Sequence, residues 1–331
     1  MECYKNSKVL IIGHTGFKGS WLVNYLNLLG AKVYGISKKK INKSINYELS
    51  KVKKKTIKEY DIDVRDFSRL NKAINSIKPR FIFYLAAQSL VGKSYKDPFN
   101  TWSINLNGAL NFLEIVKEIK FRTNIVLITS DKCYKNIEKK TGYKENSFLS
   151  GSDPYSGSKA SVEILYSSYF ESFLKQKKNL YSASARAGNV IGGGDLSENR
   201  IIPDCIKSWS NKKSAEIRNP NSTRPWQHVL EPLNGYLILG YYLNKNFFDG
   251  ESFNFGPSLK NSKSVKELIK EVKFNLKNFK YKIKRKNLFK EHGLLQLNCE
   301  KAKRKLRWKP KLDFKQTIKF TIDWYIHYFK K

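Results

Sequence analysis

Tyr155-Ser156-Gly157-Ser158-Lys159 sets a phenol and an ammonium four residues apart, one helical turn and therefore one face. A cation beside a phenol lowers its pKa, so the pair can take a proton from an alcohol as hydride leaves the carbon. The spacing alone carries little, because it recurs at Tyr4 and Lys8, Tyr34 and Lys38, Tyr47 and Lys51, and Tyr241 and Lys245. Position 155 is set apart by what precedes it: an apolar run ending Ile128-Thr129-Ser130, then Asp131-Lys132, one loop upstream. Ser130 can hydrogen-bond the same hydroxyl as Tyr155. Asp131 and Lys132 add an acid and a base, which oxidation of an alcohol does not need and elimination of water does. A capped loop with a solvated ion pair would show the same residues.

A second constellation lies near the N-terminus, where Gly13-His14-Thr15-Gly16-Phe17-Lys18-Gly19 follows an apolar run directly. Glycine at every third position permits a tight turn, lets backbone N–H groups approach a pyrophosphate, and lets the next helix pack close to a sheet. The helix's positive end then meets negative charge. Gly13, Thr15, Gly16, Phe17, Lys18 and Gly19 are therefore dinucleotide-binding candidates. The acidic residue that usually ends the second strand and holds the adenosine ribose is missing, since Ser37 and Lys38 follow Ile36. A lysine there suits a 2′-phosphate, so this loop leaves the choice between NAD and NADP open. Asp63 is placed to receive an adenine amino group, with Val64 beside it, or to cap the segment that begins near Asp66.

The elements that must position these residues are legible as periodicity. Val9 to Ile12, Val33 to Ile36, Phe81 to Leu85 and Ile125 to Thr129 read as buried strands. Trp21, Leu22, Tyr25, Leu26 and Leu29 recur at helical spacing, and Ile104, Leu110, Leu113 and Val116 do so less regularly. A further helix opens near Asp153, with Pro154 at its first position, and runs through Tyr169. Alternating strands and helices predict an α/β fold, a doubly wound parallel sheet of the Rossmann type. After Gly188 the texture turns to glycine- and proline-marked loops. That predicts a dinucleotide-binding domain over 1–188, to which segments near 225–256 return, and a smaller C-terminal substrate-binding domain over 189–331.

The bulk properties bound the rest. With 331 residues, 40% of them hydrophobic, the chain can bury a large core. Its net charge of +35 invites a nucleic-acid reading, but the lysines run from Lys38-Lys39-Lys40 through Lys53-Lys54-Lys55 to Lys330-Lys331 and gather on no one element. Residues 274–290 are lysine-rich and read as variable surface. No nucleic acid is expected, and no membrane, because no apolar stretch is long enough to span one. Cys3, Cys133, Cys205 and Cys299 are too scattered for a metal site, and reduced thiols in a cytoplasmic protein account for them.

Longer strings resemble the extended short-chain dehydrogenase/reductase family of NAD-dependent nucleotide-sugar epimerases and dehydratases, and within it the dehydratases of CDP-glucose. They are Gly13 through Trp21, Leu85-Ala86-Ala87-Gln88, Thr129 through Tyr134, Ala185 through Asp195, Arg218-Asn219-Pro220 and Thr223 through Leu233. The likeness covers about residues 8–256. It implies that Tyr155, helped by Ser130 and Lys159, takes the proton of a glucose 4-hydroxyl while hydride passes to NAD. Lys132, standing where dTDP-glucose dehydratases carry a glutamate, would remove the carbon 5 proton. Asp131 would protonate the departing 6-hydroxyl before hydride returns to carbon 6. Leu85, Ala86 and Ala87 would wall the nicotinamide, Gln88 and Ser89 would meet the sugar, and Asn189 and Arg224 the diphosphate. Gly92, Leu196 and Ile104 depart from the pattern, which expects Arg, Trp and Thr. A nucleotide-sugar 4-epimerase would also use Tyr155 and Lys159 but has no need of Asp131-Lys132. An idle scaffold would not need Ser130, Tyr155 and Lys159 together. Helices around 105–118 and 154–174 are expected to pair across a two-fold axis in a homodimer or homotetramer.

Overall fold

A computed structural model describes residues 1–38, 44–197, 200–258, 262–284 and 293–329. The expectations for Lys39, Lys40, Lys330, Lys331 and the 285–290 part of the lysine-rich stretch lie outside these residues. Seven parallel strands form the central sheet: β1 (Lys8–Ile12), β2 (Lys32–Ser37), β3 (Lys58–Asp61), β4 (Phe81–Tyr84), β5 (Thr123–Ile128), β6 (Leu180–Ala187) and a last strand, Ser252–Phe255. The last strand lies outside β6, and the order continues β5, β4, β1, β2, β3. The winding reverses between β1 and β4, and a crevice opens at such a switch point, beyond the carboxyl ends of the strands.

Both faces of the sheet are covered, which is why β4 and β5 are buried throughout. Alternation sorts their side chains. Val9, Ile11, Phe81 and Phe83 face one way, against Leu22, Val23 and Leu26 of α1 (Phe17–Leu28) and Leu233 and Leu237 of the helix Leu230–Asn244. Leu10, Ile12, Ile82 and Tyr84 face the other, against Leu70 and Ile74, Phe112 and Val116, and Val162 and Tyr166 of the helices Phe67–Ile77, Gly108–Glu118 and Pro154–Tyr169. A third core gathers Ile202, Ile206, Leu268, Val272, Ile318 and Ile322 from three helices downstream of Gly188. The helix Leu230–Asn244 and the last strand rejoin the main sheet.

The irregular spacing at Ile104 has a physical cause. Residues Ser103–Asn107 wind as a π-helix before Gly108–Glu118 resumes the α-helix, which shifts the apolar face. Among the described residues no helix is long and apolar enough to cross a membrane.

Candidate active site

The glycine loop is shaped by two close approaches. Gly13 has φ +98°, and a Cβ there would stand 2.9 Å from the Ala86 backbone nitrogen, where the loop meets the end of β4. A Cβ at Gly19 would stand 2.1 Å from the Gly13 carbonyl oxygen, so only glycine lets α1 begin this close to the turn. Gly16 is the N-cap of α1, is exposed, and has nothing but the Gly13 oxygen near its missing Cβ. The end of β2 pins the loop from the side. The Ser37 hydroxyl oxygen accepts from the Thr15 backbone N–H at 3.3 Å and lies 3.1 Å from His14 Nδ1. The result is an open helix N-terminus with room for backbone approach, which fits a dinucleotide pyrophosphate. Phe17 is half-buried at the start of α1, and Leu85, Ala86 and Ala87 are half-buried beyond β4 across the turn.

Asp63 sits past β3 and does not cap a helix. Asp66 caps Phe67–Ile77 by accepting from the Arg69 N–H. Asp63 instead accepts from Lys38 Nζ at 2.8 Å and Arg65 Nη2 at 2.6 Å. These bonds hold its carboxyl well below the usual carboxylate range, with the Arg65 bond the main cause. Val64 is buried beside it against Gly108.

At the carboxyl end of β5 the chain turns at once into Asp131–Cys133, a short 3-10 helix capped by Ser130. The helix Pro154–Tyr169 opens opposite. Asp153 caps it by accepting from the Tyr155 and Ser156 N–H groups, and the Ser156 hydroxyl completes a capping box. This cap fixes Tyr155 in the first turn, so Tyr155, Lys159 and Glu163 descend one face toward β5.

Ser130, Asp131, Tyr155 and Lys159 converge and are each more than nine-tenths buried. Ser130 Oγ donates to Asp131 Oδ1 at 3.0 Å, and the serine hydroxyl lies close enough to Tyr155 to oppose the rise in its phenol's pKa. Asp131 Oδ2 is buried without a hydrogen-bond partner among the described residues and faces Gly188, the residue after β6. Burial pushes the Tyr155 phenol up to about 12, against the Ser130 hydrogen bond that lowers it. Burial likewise pushes the Lys159 amine down to about 8 and the Asp131 carboxyl up. Each shift has the sign expected when a charge loses water.

Several predicted residues land differently from expectation. Gln88 is turned inward: its Nε2 donates to Leu90 O and Thr101 Oγ1 and its Oε1 accepts from Leu90 N, so its amide braces the loop. Ser89 is exposed beside it, and Asn189 is half-buried next to Gly188. Arg224 lies on the strand Thr223–Pro225, where its Nη1 donates to the carbonyls of Thr223 and Gly293, and its charge is felt by Asp131. Lys18 turns from the glycine loop toward the reacting groups. Its Nζ donates to the Tyr236 hydroxyl at 3.4 Å, and its charge is coupled to Asp131. Lys132 is half-buried next to Asp131.

Two participants escaped sequence reasoning. Tyr236 lies on the apolar helix Leu230–Asn244 and was hidden by its neighbours. Glu163 carries a readable signal, being the lone acid one turn past Lys159 on the same face. It accepts from Arg186 Nη2 at 2.7 Å and from the hydroxyls of Ser184 and Thr129.

A dinucleotide cradle at the switch point, with serine, tyrosine and lysine converging beside it, defines an extended short-chain dehydrogenase/reductase. Solved structures share this fold over nearly the whole chain. A dTDP-glucose 4,6-dehydratase from Bacillus anthracis in complex with NAD superposes with a TM-score of 0.82 at 20% identity, covering 97% of each chain. A UDP-glucose 4-epimerase from Thermotoga maritima gives 0.81 at 21% identity, over 97% of this chain and 99% of that one. The chain belongs to the GDP-mannose 4,6 dehydratase family, whose model matches residues 10–321. It is 39% identical over 329 residues to the CDP-glucose 4,6-dehydratase of Salmonella typhimurium, a match spanning 97% of this chain and 91% of that protein. The similarity thus runs well past residue 256, where the motifs fade.

Proposed function

We infer that this chain dehydrates CDP-glucose to CDP-4-keto-6-deoxyglucose with NAD as a recycled cofactor. The observation that carries this reading is Asp131, a buried carboxyl bonded to Ser130 beside Tyr155. A 4-epimerase has no use for that acid, and the elimination of water requires one. The base CDP rests on the Salmonella relative, since no residue of the site reads cytosine by its chemistry.

NAD, when bound, would supply a reversible hydride acceptor for oxidation at carbon 4 and reduction at carbon 6 of the sugar. Gly13, Thr15, Gly16, Phe17 and Gly19 would hold its pyrophosphate, Asp63 and Val64 its adenosine end, and Leu85, Ala86 and Ala87 the nicotinamide side. Lys38 is already neutralised by Asp63, which leaves that cation committed and favours a cofactor without a 2′-phosphate. Tyr155 removes the 4-hydroxyl proton, with Lys159 supplying positive charge beneath it and Ser130 a hydrogen bond. The ketone so formed acidifies carbon 5. Lys132 takes that proton, and Asp131 gives one to the 6-hydroxyl, which leaves as water. Lys132 then returns its proton to carbon 5. Asn189 and Arg224 would meet the diphosphate, a role suited to a guanidinium.

Incubation with CDP-glucose is expected to give a product with the alkaline chromophore of a 4-keto-6-deoxy sugar, and dTDP-glucose or UDP-glucose much less. A CDP-linked 4-epimer would overturn the reading, and a preference for another nucleotide would reassign the base.

The cradle yields its own expectation. At a hundred times its Kd, NAD should stabilise the natural protein by about 2.7 kcal/mol. Gly19→Ala should abolish that gain, because the added methyl cannot coexist with the Gly13 carbonyl. Thermal melts with and without NAD would show it, and an undiminished gain in the variant would place the dinucleotide elsewhere.

We also propose a homo-oligomer and a cytoplasmic setting. Leu110, Ile164 and Phe173 are exposed along the segments Gly108–Glu118 and 154–174, an apolar face suited to a second copy.

A further inference from the structure

The end of β2 has to tell apart two adenosines, one with a 2′-hydroxyl and one with a 2′-phosphate. A carboxylate there bonds the hydroxyl and repels the phosphate, whereas a cation accommodates the phosphate. Ser37 turns toward the glycine loop, where its oxygen accepts from the Thr15 N–H and lies beside His14 Nδ1. Lys38 is therefore the charged group at the strand's end. By itself it would favour the phosphate.

We propose that Asp63 selects NAD over NADP, standing in for the missing acid of β2 by cancelling the charge of Lys38 instead of bonding the ribose. This deepens the cofactor reading above and rests on it. Asp63 Oδ2 accepts from Lys38 Nζ at 2.8 Å and from Arg65 Nη2 at 2.6 Å, while Oδ1 accepts from the Arg65 backbone N–H at 3.1 Å and from its Nε at 3.0 Å. Four donors match the roughly four acceptor positions of a carboxylate. An adenine amino group, the partner expected from the sequence, would meet a carboxylate already engaged, so Asp63 acts through its charge.

The two cations are held differently. Arg65 grips Asp63 through three groups, and its Nη1 donates to Asn100 Oδ1 and Ser103 Oγ, which fixes the guanidinium from both sides. Among the described residues Lys38 is held by Asp63 alone. A 2′-hydroxyl is neutral and can accept from an ammonium N–H that Asp63 does not use. A 2′-phosphate brings about two negative charges toward a carboxylate that Arg65 keeps in place. It would have to draw Lys38 away from Asp63, and the repulsion between phosphate and carboxylate opposes that.

Calorimetry with NAD and NADP on the full chain tests this, at one salt concentration because exposed charges are screened. The natural protein should bind NAD the more tightly. Asp63→Asn removes the charge and keeps an oxygen for Arg65. It should tighten NADP about tenfold to a hundredfold, the scale of a hydrogen bond to a charged group, and leave NAD within about threefold. Adding Lys38→Met should cancel the gain. Lys38→Met alone alters a partly exposed side chain and should weaken NADP further with NAD unmoved, an arm that stands even if Asp63→Asn folds poorly. NAD and NADP weakened alike in Asp63→Asn would make the residue an adenine ligand and overturn the proposal, as would an NADP gain that survives the loss of Lys38. A natural protein that binds neither dinucleotide would instead sink the cofactor reading itself.

Discussion

Tyr155→Phe should lower kcat on CDP-glucose by about a thousandfold, within the range set by removal of a positioned acid or base. It should cost no more than about 1 kcal/mol of stability, the scale of a single hydrogen bond, because the buried ring is kept. The asymmetry follows from the site. The ring fills a buried space that phenylalanine fills equally, whereas the oxygen is the group that exchanges a proton with the sugar. The natural enzyme should also lose activity as pH rises through about 8, where the buried Lys159 ammonium gives up the charge that steadies a phenolate. In the phenylalanine variant the residual rate should no longer follow that limb, since no phenolate remains to be steadied. Steady-state rates across pH and a thermal melt read both effects. A variant within tenfold of natural turnover would remove Tyr155 from the reaction.

The strands, the glycine loop and the Tyr155 helix were legible because each obeys a local rule. Apolar runs of strand length carried β1, β4 and β5, Gly13 and Gly19 sit where a Cβ cannot, and Asp153-Pro154 announces a helix start. What stayed hidden depends on direction. The sequence places Gln88 beside a substrate string, yet its amide turns inward because Leu90 and Thr101 satisfy it there. Lys18 belongs to the phosphate motif by position and to the reacting groups by reach, since a long side chain at the second position of α1 can point past the loop to Tyr236. Asp63 was readable as polar and near a strand end, but not as the partner of Lys38, which is 25 residues away. Tertiary pairing decides such cases, and no local period encodes it.

Glu163 and Arg186 are the clearest instance, and their pairing leads to the largest expected loss of stability. Arg186→Met should cost about 3–5 kcal/mol, the penalty for leaving a buried carboxylate without its cation. The Glu163 and Arg186 side chains are 1% and 5% exposed, and Arg186 also donates to Tyr134, to the Glu145 carbonyl and to Ser252. The double variant Glu163→Gln, Arg186→Met should lose less than the two single losses combined, because neither charge is then stranded. The same carboxylate reaches the chemistry. Its charge favours the Lys159 ammonium against the burial that opposes it, so Glu163→Gln alone should move the alkaline limb of activity to lower pH. Denaturant melts of the three variants measure the coupling, and pH profiles of Glu163→Gln measure the reach. Additive losses with an unmoved limb would reduce the pair to two independent polar contacts behind the sheet. Coupled losses with a shifted limb would make it the buried support that keeps a lysine charged under Tyr155.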